Sequence, residues 1–201
     1  MQNIREKVDY AEFSAGQAAE ISGVNAPLQR HWRKRGLLPD IEPGKHARFG
    51  PGEVLRMMIM KAFSDSNISI KGARIFTQTA ADIAGRILQT LPGAVELTAD
   101  PSLGPDFIDR ERRRLEDWRD MHRARYLFMP LPEREDATGA IAIYQREDLS
   151  DLHTLLDEDG FHGLLIDVDA IARALLARAQ RAHNLPLEKR TFTRELDGPS
   201  I

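Results

Sequence analysis

The 201-residue chain contains no cysteine. That absence excludes disulfides, thiolate metal sites and thiol redox switches together. No apolar run approaches the roughly 20 residues that a membrane span needs. The stretch from Met1 to Tyr10 is polar and carries no signal-peptide core. There is no internal repeat or low-complexity tract, and no glycine-rich phosphate loop, nucleophile elbow or zinc signature. What remains is an ordinary folded composition, 42% hydrophobic and 29% charged, long enough for one large domain or two small ones. A cytoplasmic location is the expectation.

Charge is unevenly placed. The net charge is −3, but Met1 to Gln78 holds 12 Lys and Arg against 8 Asp and Glu. Between Leu28 and Arg48, six basic residues (Arg30, Arg33, Lys34, Arg35, Lys45 and Arg48) face only Asp40 and Glu42. A polyanionic backbone attracts such a patch, and the acidic remainder limits indiscriminate binding. A solvated basic helix face is the plainer reading of the same run.

Local signals organise the same region. Ser14 and Gln17 have capping-box spacing, so a short helix is expected after Ser14, with Ala15, Ala18, Ala19 and Ile21 as its small and apolar residues. Ser22-Gly23 ends it, because glycine supplies the left-handed conformation of a tight turn. Asn25 is a good N-cap, and Pro27 sits in the first turn of a second helix running to Arg35. Two short helices around a glycine turn are the helix-turn-helix pattern. After Gly36, apolar ends around a Pro/Gly-containing tip predict a small hairpin, a wing reaching Lys45-His46-Ala47-Arg48-Phe49. A third helix is predicted from Gly50-Pro51, and a fourth from Ile70 to about Leu91, capped by Ser69.

Phe13-Ser14-Ala15-Gly16-Gln17-Ala18-Ala19, Ser22-Gly23-Val24-Asn25, Arg30-His31-Trp32-Arg33, Gly36-Leu37-Leu38-Pro39 and His46-Ala47-Arg48-Phe49 stand in the order and spacing of the MerR family's DNA-binding domain. The first 75 or so residues resemble that family. The resemblance implies a winged helix-turn-helix whose second helix enters the major groove, presenting Gln29, Arg30 and Arg33. Arg30 is the first choice for a DNA contact. His31 stands where the family often has a phosphate-contacting aromatic, and Lys34 and Arg35 would add backbone contacts. Arg48 matches a phosphate or minor-groove arginine of the wing, while Trp32 reads as a core anchor. Ser14, Asn25, Lys45 and His46 complete the candidate DNA-binding set. Pro27 and Leu28 depart from the family's polar or basic residues, so base preference does not carry over. Nor does an effector, since the metal-sensing members use cysteines.

Beyond Leu91 the signals thin. Prolines and glycines between residues 92 and 105 read as a linker, dividing a DNA-binding domain (1–91) from a smaller mixed α/β dimerisation or effector domain (106–183). A charged helix is predicted from Asp106 to about Arg125. Ile108, Leu115, Trp118 and Met121 form a narrow stripe along it, suited to a dimer seam or to intrachain packing. Strands are predicted at Tyr126–Leu131, Ala140–Gln145 and Gly163–Val168, with helices at Ser150–Asp157 and Ala170–Ala182. Residues 184–201 read as a loose tail.

The whole is an α+β chain, expected to bind double-stranded DNA as a homodimer at a promoter and to regulate transcription, with RNA polymerase as a further partner. No membrane partner, cofactor or metal is assigned, and the effector is open. One alternative is a phage-type DNA-organising protein, a packaging small subunit or excisionase. Another is a metal-dependent enzyme built on Asp167 and Asp169 beside His162, or on His153 with Asp157 and Asp159. Asp169 is equally placed to cap the helix from Ala170.

Overall fold

The computed structural model describes residues 3–42, 44–70, 74–121, 125–130, 144–146, 149, 163–183 and 186–194. It is an α+β fold. A first strand, β1 (Ile4–Tyr10), precedes a two-residue strand β2 (Phe13–Ser14). Helix α1 (Ala15–Ser22) follows, then α2 (Ala26–Lys34). The expected hairpin after α2 does not form. Residues 37–42 and 44–47 hold no strand, and β3 (Arg48–Phe49) pairs antiparallel with β2 instead, Phe13 opposite Phe49 and Ser14 opposite Arg48. Pro39 has no amide to give a ladder, its carbonyl is held by Arg33 Nε at 2.9 Å, and Leu38 is drawn into the core.

Helix α3 (Pro51–Asp65) begins as anticipated, with Pro51 in its first turn and the Glu53 carboxylate accepting from the Gly50 amide. Helix α4 is described from Arg74 to Thr90; Ile70, where its start was expected, lies in a turn, and residues 71–73 lie outside the described residues. The segment 92–105, expected to be a linker, holds strand β4 (Val95–Ala99) and a 3₁₀ turn (Pro101–Leu103). Helix α5 (Phe107–Met121) leads to β5 (Tyr126–Pro130), β6 (Tyr144–Arg146) and β7 (Gly163–Asp167). Helix α6 (Val168–His183) then packs on α1, α3 and α4. The helix predicted at Ser150–Asp157 lies outside the described residues, as do His153, Asp157, Asp159 and His162.

Residues 188–194, expected to belong to a loose tail, form strand β8 (Glu188–Arg194). It is the centre of a three-stranded sheet ordered β1-β8-β4, antiparallel to β1 and parallel to β4. Its inward residues Glu188 and Phe192 are buried. The Phe192 ring meets Phe107 of α5 edge-on at 5.1 Å. Buried Glu188 accepts from Gln89 Nε2 of α4 at 2.9 Å and from Arg190 Nε, and Arg190 reaches Glu6 of β1 at 3.2 Å. Pairing of this kind is what lets charged groups lie under a sheet. A second sheet, ordered β6-β5-β7, is antiparallel throughout.

One apolar core joins these parts. It includes Ile21, Trp32, Leu55 and Phe63 of the N-terminal helices with Leu127, Ile166, Leu175 and Ala179 from the far side of the expected linker. Across it, Arg178 of α6 donates to the carbonyl of Ile21 at 2.7 Å.

Candidate nucleic-acid interface

The turn between α1 and α2 fixes how α2 stands. Gly23 takes a left-handed conformation (φ 73°), and its amide closes on the Ala19 carbonyl at 2.9 Å. The Ser22 hydroxyl donates to the Ala18 carbonyl at 2.5 Å and accepts from the Val24 amide at 3.1 Å. Asn25 Oδ1 accepts from the Leu28 amide at 2.9 Å, and Ser14 and Gln17 complete a reciprocal cap at the start of α1. Ser14 and Asn25, two of the candidate contacts, are therefore helix caps.

Gln29 was expected on the exposed face and is not there. It is 2% exposed, and its Nε2 donates to the carbonyls of Val24 (2.8 Å) and Ala15 (3.0 Å). The Val24 carbonyl is buried in the turn, where an unpaired acceptor is costly, and Ala15 opens α1, so the amide is a staple between α1 and α2. The signal for this was present: Gln29 precedes Trp32 by three residues, and residues three apart share a helix face. Trp32 is itself 2% exposed, as its reading as a core anchor required.

With Gln29 and Trp32 inward, helical periodicity puts Pro27, Arg30, His31 and Lys34 on the opposite side, and all four are exposed. Arg30, His31, Lys34 and the capping residue Arg35 make no ion pair among the described residues. Cations near a helix C-terminus are also favoured by the helix dipole, so this charge does not work against the helix that carries it.

Arg33 flanks the stripe and ties α2 to the ribbon. Besides holding the Pro39 carbonyl, its guanidinium carbon lies 5.7 Å from the centre of the Phe49 ring. Phe49 is buried, and strand alternation turns Arg48, its neighbour, outward. Thus β3 brings an exposed arginine beside the basic helix. Lys45 and His46 are exposed in the preceding loop, where Lys45 pairs with Glu42. Sequence reasoning placed Arg33 on DNA and missed its strapping role, since Pro39 and Phe49 meet it only through the fold.

This is the geometry of a helix-turn-helix beside a short ribbon. Residues 13–79 match the family model of MerR HTH family regulatory proteins. The match spans 67 of the 201 residues, and no curated protein matches the chain. The MerR-type segment begins at Phe13 of β2, includes α1 to α3 and the ribbon, and ends within α4.

Of the carboxylates considered for catalysis, Asp167 and Asp169 are engaged elsewhere. Asp167 Oδ1 accepts from the Ala170 amide at 2.8 Å, so Asp167 caps α6 and Asp169 does not, because the helix starts two residues earlier than expected. Asp167 Oδ2 accepts from Arg125 at 3.0 Å and Asp169 from Arg173 at 2.6 Å. Each hydrogen bond, reinforced by the carboxylate's charge, raises its arginine's pKa above the ordinary value.

Proposed function

We propose that α2 lies in the major groove of double-stranded DNA and that the chain acts as a sequence-specific transcriptional regulator, as a dimer at a promoter. The observation that carries the reading is the exposed stripe of Arg30, His31 and Lys34, without an ion pair among the described residues, on a helix held by its buried face. A guanidinium at Arg30 suits both guanine edges and phosphates. Lys34, Arg35 and, from the ribbon and its loop, Lys45, His46 and Arg48 supply salt-dependent phosphate contacts. The MerR-type segment supports the same assignment.

Capture of bound genomic DNA by the full chain, followed by footprinting, tests the reading. Protection across a promoter spacer is the expected result. Protection confined to a packaging or recombination site would instead make the chain a DNA-organising protein, and no sequence preference at all would remove the regulatory role. Replacing Arg48 by Ala lowers the slope of log affinity against log salt by about 1, and an unaltered slope takes Arg48 off the phosphate backbone.

A further inference from the structure

Strand β1 is an outer strand: the sheet order ends there, and among the described residues no strand pairs with its far side. The parity of its hydrogen bonds follows from one contact. The Ala11 amide donates to the Leu187 carbonyl at 2.9 Å, continuing the β1–β8 register by one pair. Hydrogen-bonded pairs alternate along an antiparallel ladder. Arg5, Lys7 and Asp9 therefore turn their backbone groups toward β8, and the amides and carbonyls of Glu6, Val8 and Tyr10 point off the edge. The inward face of the same strand, which carries Glu6 beside its apolar residues, is open at both ends, with Ile4 45% and Tyr10 57% exposed.

We infer that this edge pairs with β1 of a second copy of the chain, antiparallel about a two-fold axis beside Val8, giving a continuous sheet ordered β4-β8-β1-β1-β8-β4. Parity requires outward residues to face outward residues, so the axis must pass beside one residue. Centred on Glu6, Lys7 or Asp9, the pairing sets two like charges directly opposite each other. Centred on Val8, it sets Val8 against Val8 of the partner copy and Lys7 against Asp9 twice. Those Lys–Asp positions are the non-hydrogen-bonded ones, where facing side chains approach most closely. A lysine on an outer strand ordinarily keeps other strands away, but in this register each has a carboxylate to meet. Within one chain the same two groups already lie 2.9 Å apart, both largely exposed, with Lys7 Nζ on Asp9 Oδ2.

The inference rests on the dimeric part of the function proposed above and adds the surface that makes the dimer. Sedimentation equilibrium of the full chain without DNA tests it, so that failure of the pairing is separate from failure of α2 to bind DNA. The wild-type chain is expected to dimerise reversibly. Lys7→Asp weakens the dimer about tenfold, because two attractive cross-strand pairs become repulsive, and adding Asp9→Lys restores it. Val8→Pro removes an amide that faces only the partner and yields monomer with unchanged circular dichroism. If that variant unfolds, the charge reversal and its rescue decide alone. A chain that stays monomeric at every concentration overturns the inference. So does a dimer whose dissociation constant is the same in Lys7→Asp and in the doubly reversed chain.

Discussion

Replacing Gln29 by Ala removes the side-chain donor to the buried Val24 carbonyl, and the expected loss is about 1–3 kcal/mol of stability by urea unfolding. Arg30→Ala, one residue along, alters an exposed side chain that makes no ion pair among the described residues. It should change stability by no more than about 0.5 kcal/mol while reducing specific DNA affinity by about 1–3 kcal/mol if Arg30 reads a base. Equal effects of the two substitutions on unfolding, or an Arg30→Ala chain with wild-type affinity, would contradict the division of labour between them. Ser14→Ala is a third case at this scale. Loss of the cap should lower the urea midpoint by an amount equivalent to about 1 kcal/mol, and a wild-type midpoint would mean that the Ser14 hydroxyl does not hold α1. The caps at Ser14 and Asn25 and the turn at Gly23 were legible because each acts on backbone within four residues of itself. The inward turn of Gln29 was legible only in helical phase, which residue type alone obscured: a polar side chain beside basic ones reads as surface.

At the scale of elements, the ribbon and α2 stand or fall together. Phe49 packs from β3 into the core and lies under the Arg33 guanidinium. Phe49→Ala should therefore destabilise the fold by about 3–5 kcal/mol, measured by thermal or urea unfolding. A loss below about 1 kcal/mol would show that the ribbon is not anchored through this ring. The hairpin expected after α2 failed for a related reason. Turn residues announce that the chain reverses, but the strand that β3 finds is chosen by what is buried. Phe13 and Phe49 share the core from opposite ends of the helix-turn-helix, and pairing β3 with β2 buries both.

For the whole molecule, β8 is the test. Phe192→Ala should cost about 3–5 kcal/mol, because the ring is buried at the centre of a sheet and against Phe107 of α5. A change near zero in the urea midpoint would return residues 188–194 to the status of a tail. The sheet was hidden from sequence reading by its own chemistry. Glu188, Arg190 and Arg194 alternate on the inward side of β8, where a hydropathy pattern expects apolar residues, and they are accommodated through partners on α4, β1 and the 3₁₀ turn: Gln89, Glu6 and the Ser102 carbonyl. Likewise α6 was visible as an amphipathic helix, but its seat on α1, α3 and α4 was not, since periodicity says which face is buried and not against what. Among the described residues no helix is long and apolar enough to cross a membrane.

What the sequence by itself determined was local: helix starts and stops set by caps, glycine and proline, the basic stripe of α2, and the order of the MerR-type segment. These depend on interactions within a turn or two of the chain, so the residues needed to read them lie side by side. The tertiary structure alone decided which carbonyls Gln29 and Arg33 hold, that β1, β4 and β8 form one sheet, and that a single core runs beneath both halves of the chain. Those outcomes depend on partners up to 184 residues apart, as Glu6 and Arg190 are, and a charged strand is stable only once the fold has brought its counter-charges to it.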